Sequence, residues 1–236
     1  MGKNDNGNNG RTELVFVVDR SGSMGGLESD TIGGFNSMLS KQRTIAGECR
    51  VTTLLFDHRI ETLHNHLDIR EVNDLTSRDY WVRGSTALLD AIGLAIDRMI
   101  VTQRHTAAAY RAQHVLFVII TDGYENASRR YSLHQIKQMI TYECERYHWE
   151  FVFLGANIDA EQTAGDFGIS PRCATDFHAD GQGIKASFEA VACAATAVRG
   201  GADLDDLSAP DFLGGVRDDY RSRRRMTVSY THLRAH

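Results

Sequence analysis

Leu14-Val15-Phe16-Val17-Val18-Asp19-Arg20-Ser21-Gly22-Ser23-Met24 is the stretch from which the fold of this chain is read. Five apolar residues run unbroken into an aspartate, which marks a strand covered on both faces. Its end carries a carboxylate and two hydroxyls at alternate positions, followed by Gly22, Gly25 and Gly26. Glycine permits a tight loop there. The three side chains are hard oxygen donors suited to a divalent cation, with no thiolate or imidazole among them.

A second run of this kind is Val115-Leu116-Phe117-Val118-Ile119-Ile120, which ends in Thr121-Asp122-Gly123. Between the two lie Arg50–Phe56, a β-branched strand, and Asp57-His58-Arg59, which turns it into a short strand over 60–64. So short a link makes that pair antiparallel. Helices alternate with the strands. Ile32, Phe35, Met38 and Leu39 share one helical face, with Ser29 or Asp30 as its cap. Leu88, Leu89, Ile92, Ile96, Met99 and Ile100 share another, beginning near Thr86, itself a candidate cap. Ser132-Leu133-His134-Gln135 fits a capping box. A strand follows over 150–154, a short helix from Asp159 to Gly168, a last strand over 173–177 and a last helix over 184–198. The alternation predicts an α/β, doubly wound, mostly parallel sheet with helices on both faces.

The 236 residues, 42% hydrophobic, are enough for one domain with a large core. The net charge of −5 argues against general nucleic-acid binding, and the basic run Arg221, Arg223, Arg224 and Arg225 reads as a solvated face. No apolar run approaches the ~20 residues that span a bilayer, and the Asn/Gly-rich residues 1–10 carry no signal-peptide core. The expected location is cytoplasmic, without a membrane. The four cysteines are spread apart and read as reduced thiols. His64 and His66 lie in a polar stretch and read as solvent-facing. Residues 1–10 are expected to be a disordered tail, 11–199 the domain and 200–236 a second tail. The final residues 228–236 read as a translated adapter or cloning scar.

In an open α/β sheet, ligands bind beyond the carboxyl ends of the strands where strand order reverses. Asp19 and Asp122 end two strands, and Thr86 opens a helix after Gly84 and Ser85. Asp19, Ser21, Ser23, Thr86 and Asp122 are therefore expected to face one crevice. Each alone has a plain structural reading as a strand end, a turn or a cap. Their order, each at the end or start of an element, favours a shared metal shell. Magnesium prefers six oxygens at about 2.0–2.1 Å and keeps some waters. With mostly neutral direct donors it stays electrophilic toward an outside carboxylate.

These residues carry a resemblance. Asp19-Arg20-Ser21-Gly22-Ser23, Gly84-Ser85-Thr86 and Thr121-Asp122-Gly123 match the D-x-S-x-S, Thr and Asp pattern of the metal-ion-dependent adhesion site (MIDAS) of von Willebrand factor type A (vWA) domains. The likeness covers about residues 11–199. Arg20–Met24 with Thr121–Gly123 resembles the bacterial and intracellular branch. The family implies a Rossmann-like six-stranded sheet in the order 3-2-1-4-5-6 with strand three antiparallel. It also implies Mg2+ or Mn2+, and a protein partner whose Asp or Glu completes the coordination. The enzymatic alternative is a metal-dependent phosphatase or phosphotransferase with Asp19 as nucleophile. That chemistry wants a second aspartate two residues on, where this chain has Ser21. No G-x-S-x-G elbow surrounds Ser21 or Ser23 either.

Overall fold

The computed structural model of the chain describes residues 10–233, with side chains described through residue 224. The expected disorder of residues 1–10 falls, apart from Gly10, outside the described residues. So does the end of the stretch read as a cloning scar.

Six strands form one sheet in the order β3-β2-β1-β4-β5-β6. They are β1 (Thr12–Asp19), β2 (Cys49–Phe56), β3 (Ile60–Asp68), β4 (His114–Thr121), β5 (Glu150–Gly155) and β6 (Ala174–Asp176). β3 runs antiparallel to β2, and the other pairings are parallel. Every residue of β1 is buried, as the unbroken apolar run requires of a central strand covered by helices. Helices α1 (Glu28–Arg43) and α5 (Gly181–Arg199) pack together on one face of the sheet. Helices α2 (Leu88–His105), α3 (Leu133–Tyr147) and α4 (Ala160–Phe167) cover the other. Phe35 of α1 meets Phe16 of β1 edge-on at 5.2 Å and Phe188 of α5 at 6.2 Å, tying helix to strand.

Register positions the site. Val18 pairs with Ile120, and Asp19 pairs with Phe56 on the other side. β1 and β4 therefore end level, and Asp19 and Asp122 emerge beside each other at the carboxyl edge.

Several local expectations change. α1 begins at Glu28 after Leu27, so neither Ser29 nor Asp30 caps it; the Glu28 carboxylate instead accepts from the Gly26 N–H at 2.7 Å. Ala87, not Thr86, precedes α2, and it supplies no side-chain cap. β3 runs four residues further than expected, to Asp68, past register shifts opposite Val51–Leu54. An edge strand with one half-exposed face lacks the apolar signal that would mark its end. His64 is not solvent-facing: it is 6% exposed, lies 3.0 Å from Thr53 Oγ1 and stacks on Phe35. Burial lowers its pKa. His66 is half-buried, with Nδ1 2.8 Å from Glu13 Oε1. The Ser132–Gln135 capping box and the Asp159 cap form as the sequence predicts.

Part of the segment read as a tail packs on the domain. Leu204, Leu213 and Val216 are buried, and α6 (Gly214–Leu233) lies against α5. Arg217 donates to the carbonyls of Pro171, Arg172 and Ala174 at 3.0–3.1 Å, fastening α6 to the entry of β6. Three apolar anchors spread over thirteen positions make no periodic face, and an arginine bound to carbonyls leaves no trace in a hydropathy pattern. Leu213→Ala is expected to destabilise the protein by about 2–5 kcal/mol in denaturant unfolding. A loss below about 0.5 kcal/mol would mean that this segment does not belong to the cooperative unit.

Candidate functional site

Asp19 is fully buried at the end of β1. Its Oδ1 accepts from the Ser21 N–H at 2.6 Å, and its Oδ2 from Thr121 Oγ1 at 2.6 Å. Its own carbonyl accepts from the Tyr80 hydroxyl at 2.6 Å. The chain then makes a single 3-10 turn, Gly22–Met24, which brings Ser23 Oγ to 3.0 Å from Ser21 Oγ. Asp122, 2% exposed, lies beside the Ser23 hydroxyl, while its Oδ1 is buried with no hydrogen-bond partner among the described residues.

Thr86 arrives from the loop between β3 and α2. A Cβ built on Gly123 would lie 3.2 Å from Ser23 Oγ and 3.3 Å from Thr86 Oγ1, so both hydroxyls border the small space that Gly123 leaves open. The Thr86 N–H donates to Asn126 Oδ1 at 2.9 Å, and its carbonyl accepts from the Asn126 N–H at 3.0 Å. Gly22 N–H donates to the Gly84 carbonyl at 3.1 Å, locking the first loop onto the second. Gly84 has φ +67°, and a Cβ there would come within 2.2 Å of His58 Nδ1, so glycine is required on both counts. The structure thus brings together all five residues that the sequence singles out.

Two carboxyls this close and this dry resist ionisation. Burial is the main force raising Asp19, partly offset by hydrogen bonds from Thr121 and Ser21. Burial also raises Asp122, with the neighbouring Asp19 charge adding to it. A cation among these oxygens would relieve both penalties and give Asp122 Oδ1 a partner. The donor set of two carboxylates and three hydroxyls fits a hard divalent ion. Among the described residues, no cluster of three or more His, Cys, Asp or Glu side chains is arranged for a metal.

Sequence reasoning missed the supports of this site. Tyr80 sits in an irregular stretch with no pattern to mark it. Glu125 and Ser128, from the loop after β4, cap α2 in place of Thr86. Glu125 Oε2 accepts from the Leu89 N–H at 2.8 Å, and Ser128 Oγ from the Asp90 N–H at 2.9 Å. Asp90 returns the contact, accepting from the N–H groups of Arg129, Arg130 and Tyr131.

Beside the crevice, Asp57 is fully buried and joins the loops. Arg20 Nε lies 3.2 Å and Arg83 Nε 2.8 Å from Asp57 Oδ2, and His58 Nδ1 lies 3.0 Å from Oδ1. The Arg59 N–H donates to Oδ1 at 2.7 Å, and the Asp57 carbonyl accepts from the Ala87 N–H at 2.9 Å. Burial alone would raise this carboxyl, but the hydrogen bonds from Arg83 and Arg59 and the charges of Arg83 and Arg20 hold it below the ordinary range.

No protein-family profile matches the sequence, and no curated protein does. Solved structures match in fold. The mussel byssus proximal thread matrix protein 1, solved with a zinc-occupied MIDAS motif, is 15% identical with a TM-score of 0.56, over 79% of this chain and 46% of its own. The pilus adhesin SpaC of Lactobacillus rhamnosus GG is 12% identical with a TM-score of 0.58, over 78% and 30%. A von Willebrand factor type A protein of Catenulispora acidiphila is 10% identical with a TM-score of 0.51, over 78% and 42%. The chain thus has the fold of vWA domains and spans less than half the length of these proteins.

Asp57→Ala is expected to cost about 3–5 kcal/mol at pH 7, because it leaves the buried Arg20 guanidinium with only the exposed Glu61 and takes the carboxylate partner from the half-buried Arg83. Since the folded-state pKa is lowered, the contribution is present above about pH 4 and is lost as pH falls through the lowered value. Chemical denaturation across pH should therefore show the gap between wild type and Asp57→Ala narrowing in acid. A gap independent of pH would contradict the charged network.

Proposed function

We propose that this chain is a non-enzymatic protein-binding module of the vWA family. It would hold a divalent cation, Mg2+ or Mn2+, at Asp19, Ser21, Ser23, Thr86 and Asp122, and through it bind an Asp or Glu of a partner protein. The observation that carries the reading is the buried, partnerless Asp122 Oδ1 beside a second buried carboxylate and three hydroxyls. When bound, the ion supplies positive charge that balances the two carboxylates and an electrophilic face for an outside anionic oxygen. The chain's own residues do the remaining work. Thr121 and the Ser21 N–H hold Asp19 in place, and Asn126 fixes the backbone of Thr86. The zinc-occupied motif of the byssus protein supports a divalent ion at such a site. The Arg20–Met24 and Thr121–Gly123 stretches and the free cysteines favour a cytoplasmic, bacterial setting. Among the described residues no helix is long and apolar enough to cross a membrane.

The phosphatase alternative is disfavoured by the state of Asp19. Its two oxygens are oriented by the Ser21 N–H and by Thr121, and the residue two positions on, where that chemistry wants a second carboxylate as acid/base, is Ser21.

Two measurements test the reading. Mg2+ or Mn2+ should raise the melting temperature, equivalent to about 2.7 kcal/mol at a hundredfold excess over Kd, and Asp122→Ala should abolish the rise. Thr86 caps no helix, so Thr86→Ala should shift stability by less than about 1 kcal/mol while weakening the ion. Partner capture from extract should be lost with chelator, with Asp19→Ala and with Thr86→Ala. Unchanged capture in all three would remove the metal site from the contact surface.

A further inference from the structure

Trp81 is a large aromatic left 43% exposed in the loop that delivers Thr86. Its neighbours fasten that loop to the rest of the crevice. Tyr80 is hydrogen-bonded to the Asp19 carbonyl, the Arg83 N–H donates to the Arg20 carbonyl at 2.9 Å, and the Gly84 carbonyl accepts from Gly22. The indole is also held through its ring. The Arg83 guanidinium carbon lies 4.2 Å and that of Arg20 5.6 Å from the ring centroid. Both arginines are themselves fixed by Asp57.

We propose that Trp81, clamped by Arg83, is a second contact for the same partner, taking an apolar and preferably aromatic side chain close in sequence to the partner's acidic residue. The proposal rests on the metal-and-carboxylate reading given above and names the partner's chemistry more narrowly. Three arguments carry it. The loop carrying the platform is joined to the crevice by direct hydrogen bonds, and the indole packs on Arg20, the residue between Asp19 and Ser21, so the platform lies beside the crevice. The indole is held in place before binding, so little side-chain freedom is lost on contact, and interface energy concentrates in tryptophans held this way. The charge also fits. Arg20 and Arg83 balance Asp57 and Glu61, so an acidic segment meets no net negative charge on this side of the crevice.

A plainer role competes with this one. Trp81 could serve only as a cover for Arg20, which is 1% exposed although it lies beneath a half-open surface. A cover shields the Arg20–Asp57 pair from water and has no preference for what lies outside.

The test uses the full chain with Mg2+ and bead-displayed synthetic peptides. Each carries a central Asp in a Gly/Ser background, with Trp, Phe, Leu, Ala, Lys or Glu at one flanking position, and a matched Asn peptide as control. Dense display compensates for weak single contacts. Asp peptides flanked by Trp, Phe or Leu should be retained at least tenfold better than those flanked by Ala. Trp81→Ala should erase that preference while the Asp-over-Asn requirement and the Mn2+ affinity persist. Trp81→Met, which keeps a cover over Arg20, should erase the aromatic part of the preference, and so remains informative if Trp81→Ala unfolds. Equal retention of all Asp peptides by the wild type, or a preference that survives both substitutions, overturns this proposal and leaves the metal reading standing. No Mg2+-dependent difference between Asp and Asn peptides overturns both.

Discussion

The buried carboxylate of Asp57 is the constraint on which the loops of the crevice depend. It sits at the end of β2, outside the group of residues that would touch a ligand, yet it binds the guanidinium groups of two of those loops. Arg20 lies between Asp19 and Ser21, so fixing Arg20 fixes the backbone on either side of it. Arg83 stands three residues before Thr86, and the Asp57 carbonyl takes the N–H of Ala87, one residue after it. One carboxylate therefore sets the distance between the first and second loops. Such a group is costly to desolvate and remains buried only when it is paired and hydrogen-bonded on every side. The four contacts to its two oxygens meet that condition.

The sheet does a different job. Register brings β1 and β4 out level, so Asp19 and Asp122 must lie side by side whatever the loops do. Unlike Asp57, this pair has no basic side chain against it among the described residues. Burial raises the pKa values of both carboxyls, and the hydrogen bonds they accept offset only part of it. The protein thus neutralises one buried carboxylate internally and leaves two others with a deficit of positive charge at the edge of the sheet. That contrast within a few residues is the physical reason for reading the crevice as a cation site rather than as another structural ion pair.

The fold was legible because its signals are local and strong. Two unbroken apolar runs ending in aspartates, a three-residue turn between β2 and β3, and the capping box at Ser132 each follow from short-range chemistry. The five crevice residues were legible for a related reason, since each lies at an element boundary. What was not legible depends on long-range contacts. Tyr80 reaches Asp19 across sixty-one positions, and Glu125 caps a helix that starts thirty-seven residues earlier. His64 carries a polar letter in a polar stretch, yet its alternation in β3 points it at Phe35. The docking of residues 204–217 rests on sparse apolar anchors and on Arg217 bound to carbonyls, neither of which has a period.

These two layers divide the demands on the molecule. The carboxylates belong to the sheet, whose buried strands are the most resistant part of a domain to opening. The hydroxyls and Trp81 belong to loops, where sequence can change without disturbing the core. On the reading proposed here, affinity for an ion would rest mainly on the carboxylates at the strand ends, and preference for a partner on the loops. Asp57 connects the layers, because it stabilises the loops with charge buried at the end of a strand. On that reading, a site built this way could alter what it recognises by substitution at position 81 and still place the same pair of carboxylates against a cation.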